Sequence, residues 1–184
     1  MQTRAAAPTD RPGRGRDRQP GRHSAGPRPR AGATTLAAAG HTVTTTLAYG
    51  VDAAAHQAAA RAGQATLAVL PRGLDRAHPH NHAQLLRSIP ARGGAVVSLF
   101  RPGTPASAAT LQASAALLAA LVRAVVLDYG HAAIHTAQVA AALHRALLVT
   151  PPTDDVHDAG NVRLLAQQRA VLIPDPAHTL AALP

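Results

Sequence analysis

The chain has 184 residues with 18 basic and 9 acidic side chains, a formal charge of +9, and no cysteine. Every basic residue is Arg and every acidic one is Asp, so chemistry that needs a Lys amine or a Glu carboxylate is excluded, together with disulfides, thiolate metal sites and Cys nucleophiles. No apolar run reaches the roughly 18 to 20 residues that span a bilayer and no signal-peptide core opens the chain, which predicts a soluble, cytoplasmic protein without a membrane partner.

Residues 1–30 hold eight Arg against two Asp, a net +6, whereas the other ten Arg and seven Asp give only +3. This first segment is rich in Pro and Gly and has no Leu, Ile, Val or aromatic residue. Such a stretch cannot bury enough apolar surface to offset its conformational entropy, so 1–30 is expected to be a disordered basic tail ahead of one domain over 31–184. The tail arginines either contact phosphate without sequence preference or form a solvated segment shaped by GC-rich codons.

From residue 31, short β-branched runs alternate with Ala/Leu-rich stretches. Strands are predicted at His41–Thr46, Ala65–Leu70, Ala95–Leu99, Ala124–Asp128, Ala146–Thr150 and Val171–Ile173. Helices are predicted at about 50–62, 81–91, 107–121, 134–145, 160–168 and 177–183. This alternation implies right-handed βαβ units: an α/β, Rossmann-like open parallel sheet with helices on both faces. In such a sheet, ligands bind outside the carboxyl ends of the strands, here the loops 46–52, 70–79, 99–106 and 128–136.

Those loops hold the residues with candidate chemistry. Gly50, between a strand and a helix, either lets an anion approach the backbone or simply ends the strand. Asp52 stands where an N-cap or first-turn residue belongs, and His56 lies one helical turn later. No nucleophile is patterned beside them, so capping is preferred over a catalytic dyad and no catalytic residue is assigned. His78, His80 and His82 alternate across Pro79, but no acidic or thiolate ligand completes a metal set. His131 and His135 are spaced like two ligands on one helix face, yet HAAIH lacks the acid of a hydrolytic zinc motif, and His131 is read as lining the ligand loop. No metal and no cofactor is assigned. Arg72, Arg76 and Arg101 are the candidates for phosphate contact in the folded domain. The aromatics Tyr49, Phe100 and Tyr129 each follow a strand, and Tyr49 is best placed to stack on a base.

Three of these loops carry motifs in order. Thr45-Thr46-Leu47-Ala48-Tyr49-Gly50-Val51-Asp52, with Ala55 and His56, is similar to an S-G-L-A-x-G-I-D-x-x-A-H pattern. Gly73-Leu74-Asp75-Arg76-Ala77-His78-Pro79-His80-Asn81 is similar to G-L-D-x-x-Y-P-x-x-N. Ser98 to Pro105 follows S-E-x-P-x-G-T-x-P. Together they make the chain resemble the DprA/Smf family of DNA-processing proteins over about residues 31–173. That resemblance implies a Rossmann-like domain that binds single-stranded DNA and hands it to the RecA recombinase, commonly as a homodimer, with no enzymatic activity. Taken with the loop positions above, it makes Tyr49, Gly50, Asp52, Arg72, Arg76, Arg101, Gly103, Thr104 and His131 the candidates for DNA or phosphate contact.

The chain departs from the family in three places. The family strand and G-x-R turn ahead of the first matching strand are replaced by the Arg/Pro tail, which predicts a sheet missing an N-terminal strand. The basic F-x-x-R-N-R segment falls on Leu111–Ala116 without any Arg, and S-G-S-L falls on His131–Ile134. Neutral side chains cannot make charge-assisted phosphate bonds, so the domain is expected to be shortened and divergent in its DNA grip. Two rival readings remain: a nucleotide phosphoribohydrolase-like enzyme, although Arg101-Pro102-Gly103-Thr104 lacks the paired glycines and the acid of that signature, or a degenerate interaction module.

Overall fold

A computed structural model describes residues 27–128, 130–152 and 159–184. All six expected strands form: β1 (Val43–Thr45), β2 (Thr66–Val69), β3 (Ala95–Val97), β4 (Ala124–Leu127), β5 (Ala146–Val149) and β6 (Val171–Leu172). They alternate with α1 (Pro27–Ala38), α2 (Val51–Arg61), α3 (Ala83–Ala91), α4 (Ala108–Leu121), α5 (Gly130–Ala142), α6 (Ala159–Ala166) and α7 (Pro176–Ala181). Strand pairing is parallel throughout, as expected for strands joined by helical crossovers.

The strands form two three-stranded sheets, β1-β2-β3 and β4-β5-β6. Among the described residues no strand precedes β1, consistent with a sheet that lacks an N-terminal strand. Residues 1–26, the bulk of the expected tail, lie outside the described residues. The last part of that segment behaves otherwise: Pro27–Arg30 open α1. Proline is tolerated in a first helical turn because the N–H it lacks has no intrahelical acceptor there. Beyond that turn, Ala33 and Ala37 bury one small face against α2, where Ala55 and Ala58 are also buried. Helix α5 begins at Gly130 rather than 134, because Ala132 and Ala133 extend it, and it stops at Ala142, before His144 at φ 53°.

Local caps place the other helices. Ser107 and Thr110 form a reciprocal capping box at the start of α4, and Asp175 accepts from the N–H groups of Ala177 and His178 at the start of α7. His178 at 2.9 Å is the main cause holding the Asp175 carboxyl below its usual range.

The largest buried cluster belongs to the second sheet and its helices, with Val125, Leu127, Leu147, Val149 and Leu164 at its centre. The first sheet is lined by a smaller set, Leu47, Ala68, Leu70 and Ile89. No helix among the described residues is long and apolar enough to cross a membrane.

Candidate nucleic-acid interface

At the carboxyl end of β1 the chain turns through Leu47, a fully buried side chain on a backbone with φ 64°. A non-glycine residue there costs of order 1 kcal/mol and persists only where its surroundings over-determine it. Two side chains do so here. The Asp52 carboxylate accepts from Thr46 N (3.0 Å), Thr46 Oγ1 (2.6 Å) and Ala48 N (3.2 Å) through one oxygen. Thr45 Oγ1 accepts from Leu47 N at 3.0 Å. Gly50, at φ 83° and ψ −114°, takes the N-cap position of α2. Asp52 therefore braces the loop ahead of its helix instead of capping the helix.

His56 is 1% exposed, and its ring bridges Thr45 Oγ1 and Thr66 Oγ1, each at 2.9 Å. Burial pushes its pKa down to about 4, against the raising influence of Asp52. A neutral imidazole with one donating and one accepting nitrogen satisfies both threonines, which ties β1, α2 and β2 together. His56 thus serves packing, and the Asp52/His56 pair is not a dyad.

The second motif docks on this loop. His82, in the 3₁₀ turn His80–His82, donates from Nδ1 to Leu47 O at 2.9 Å, and its ring meets Tyr49 edge-on with centroids 4.7 Å apart. Tyr49 is 62% exposed. An aromatic ring is thus held at the carboxyl edge of the sheet with much of its surface open to solvent.

The third motif locks onto the second. Asp75 Oδ1 accepts from Gly103 N at 2.8 Å, Gly73 N donates to Thr104 O, and Ser98 Oγ donates to Arg72 O. Gly73 has no room for a Cβ, which would run into Arg101 O and Pro102. The Gly103 N–H is the main cause holding the Asp75 carboxyl below its usual range. Burial lowers His78, with Arg72 adding to the effect.

The structure brings the expected residues Tyr49 and Gly50 into one loop, with Asp52 in the first turn of α2 reaching back onto it, and Arg72, Arg76, Arg101, Gly103 and Thr104 into a braced pair of loops. Gly103 and Thr104 spend their backbone N–H groups internally, on Asp75 and on Arg101 O. Arg101 is exposed, Arg76 lies 4.0 Å from Asp75, and Arg72 is half-buried with its Nε enclosed and without an acceptor. His131 falls in the first turn of α5, in the other half of the chain. Tyr129 lies outside the described residues. Among the described residues, no three His or Asp side chains converge as a metal site.

Some contributors escaped the sequence reading. His82 was visible only as one of three alternating histidines. Ser98 sat inside a quoted motif, but the carbonyl it binds belongs to Arg72, 26 residues away. On α4, Ser114 occupies the first arginine position of the family's basic segment, where it is buried and donates to Leu70 O at 3.0 Å.

The profile of the family described as DNA recombination-mediator protein A matches residues 28–184. The chain belongs to that family. It is 31% identical over 152 residues to protein Smf of Escherichia coli, covering 81% of this chain and 41% of that protein. The chain therefore spans less than half the length of the curated relatives it matches. Two solved members share the fold at 24% identity. One is DNA processing protein A from Helicobacter pylori, described for its single-stranded DNA binding mode, with TM-score 0.74 over 83% of this chain and 70% of that one. The other is DNA processing protein A from Streptococcus pneumoniae, with TM-score 0.72 over 84% of this chain and 56% of that one. Membership in the recombination-mediator family places this Rossmann-like domain among proteins of DNA processing and recombination.

Proposed function

We propose that this recombination-mediator domain binds single-stranded DNA at the carboxyl edge of its first sheet, stacking a base on Tyr49 and contacting phosphate through Arg72, Arg76 and Arg101. One observation carries the reading. In a chain with only one Phe and two Tyr, an aromatic ring stands 62% exposed at the end of β1, steadied by His82. Burying Tyr49 in a core would be the ordinary use of so scarce a side chain, whereas an exposed ring on the same sheet edge as three arginines suits a base with its phosphates.

The family resemblance extends the proposal to a cytoplasmic homodimer that passes the strand to the RecA recombinase, without catalysis of its own. Fluorescence anisotropy with labelled oligothymidylate tests the binding step. Tyr49→Ala is expected to weaken binding by roughly 5- to 100-fold, the range of one base–aromatic stack, while leaving the unfolding midpoint unchanged. No binding by the unaltered protein, even at low salt, would sink the reading.

A further inference from the structure

Away from these loops, the topology sorts the charges. Arg61 closes α2, and Arg92, Arg123, Arg145 and Arg169 stand within three residues of the start of β3, β4, β5 and β6; all five are exposed. The described acidic residues sit at the opposite ends of the strands: Asp52 and Asp75 after β1 and β2, Asp128 after β4 and Asp175 after β6. Among the described residues, no helix-to-strand connection holds an acidic side chain. In each parallel sheet these connections lie at the amino ends of the strands, and in the first sheet that is the end opposite Tyr49.

Within the second sheet the arginines form a row. Ala124 pairs with Ala146 and Leu148 with Val171. Carried back one or two residues, this register sets Arg123 beside Arg145, and Arg169 beside Ala146. With strands about 4.8 Å apart, the three Cα atoms span roughly 10 Å. An open groove of about 550 Å³ lies between the last two, lined by Gln138, Ala141, Ala142, Arg145 and Arg169.

Arginine at a helix carboxyl end has a structural use. Arg92 Nη1 donates to Ala60 O and Arg145 Nη2 to Ala120 O, completing the last turns of α2 and α4. Each bond occupies one nitrogen of a guanidinium with five donor hydrogens. The guanidinium groups of Arg123 and Arg169 have no protein partner among the described residues. Capping therefore accounts for Arg145 and leaves the other two, and the shared groove, without a structural role.

We propose that Arg123, Arg145 and Arg169 form a second phosphate-contact track, on the amino edge, for a single-stranded phosphodiester chain. This rests on the single-strand reading above. A row of exposed cations with no counter-charge among the described residues suits a chain of evenly repeated anions, whereas an isolated anion needs donors converging in a closed cleft. No Phe, Tyr or Trp lies in these connections, so this edge reads phosphate and no base, and its contribution is salt-sensitive.

The test compares the full-length protein with the triple variant Arg123→Gln/Arg145→Gln/Arg169→Gln and with Arg123→Gln/Arg169→Gln, which keeps the bond to Ala120 O if the triple variant fails to fold. Oligothymidylate affinity is measured between 50 and 300 mM salt, with inorganic polyphosphate as a probe that has no bases. At about 0.7 per neutralised phosphate, the slope of log affinity against log salt is expected to fall by about 2 in the triple variant and about 1.4 in the double. Tyr49→Ala is expected to lower oligothymidylate affinity at unchanged slope and to leave polyphosphate binding intact. Unchanged slopes in the arginine variants, with Tyr49 still mattering, would overturn the amino-edge track alone. Polyphosphate binding that depends on the arginines, in a protein that ignores oligothymidylate, would keep the track as a phosphate-chain surface and remove the single-strand reading. Binding of neither probe by the unaltered protein would overturn both.

Discussion

Around β4–β6, Leu and Val side chains interlock between the sheet and its helices, whereas around β1–β3 the buried apolar sets are small and one of them is alanine alone. The first half is held by a larger set of polar braces: Asp52 across its own loop, His56 between two strands, His82 onto Leu47, and Asp75 and Ser98 between the second and third loops, against the Thr150 and Asn161 bonds to Asp128 in the second. Hydrophobic packing is non-directional and tolerates small shifts, while a hydrogen bond fixes distance and angle. Among the described residues, the half with the thinner core has the more densely braced loops, and it is the half that carries all three family motifs. The larger core and the three motif loops are divided between the two sheets.

The largest effect is expected in the larger core. Leu147→Ala empties part of the second core and should cost about 2–5 kcal/mol in urea unfolding, with oligothymidylate affinity unchanged in the folded fraction. A large loss of affinity would erase the division. Next comes acid sensitivity in the braced half. His56 has a lowered folded pKa, about 4 against 6.5 unfolded, so its neutral form is favoured by folding. Its contribution is full above pH 6.5 and is lost as pH falls from 6.5 toward 4, by about 3 kcal/mol in all. Urea unfolding across that window should show the loss in the unaltered protein and a flatter dependence in His56→Gln.

Asp52→Ala removes the acceptor of three hydrogen bonds and should cost about 2 kcal/mol. Unlike Leu147→Ala, it should weaken oligothymidylate binding, because Tyr49 loses its fixed loop. A stability loss with unchanged affinity would mean that the brace serves the fold alone. The smallest effect has the opposite sign. Gly32 lies inside α1 with open space where a Cβ would stand. Gly32→Ala should stabilise by about 0.5–1 kcal/mol in thermal unfolding without touching the site.

The six strands are legible because runs such as TLAV and AVVL announce a strand within four residues. Their sorting into two sheets is not legible, since periodicity identifies a strand and says nothing about its neighbour. Helix α1 was hidden by Pro27 and Pro29, whose place in a first turn becomes visible only once Ala33 and Ala37 are seen to pack. In the site, Tyr49 and Gly50 stood where the motif put them. Asp52 holds the first-turn place its sequence position allows, but the N-cap falls to Gly50 through a backbone conformation no composition rule reveals. The His82 brace joins residues 35 apart, beyond any local pattern.

The separation into two sheets has a consequence in time. Among the described residues no ladder hydrogen bond joins β1-β2-β3 to β4-β5-β6. Opening one ladder therefore breaks no backbone bond of the other, and local opening can stop at the boundary. Native-state amide exchange should separate Leu67–Val69 from Leu147–Val149 into two protection classes, the second slower. The half that carries the three motif loops would then breathe while the other half stays closed.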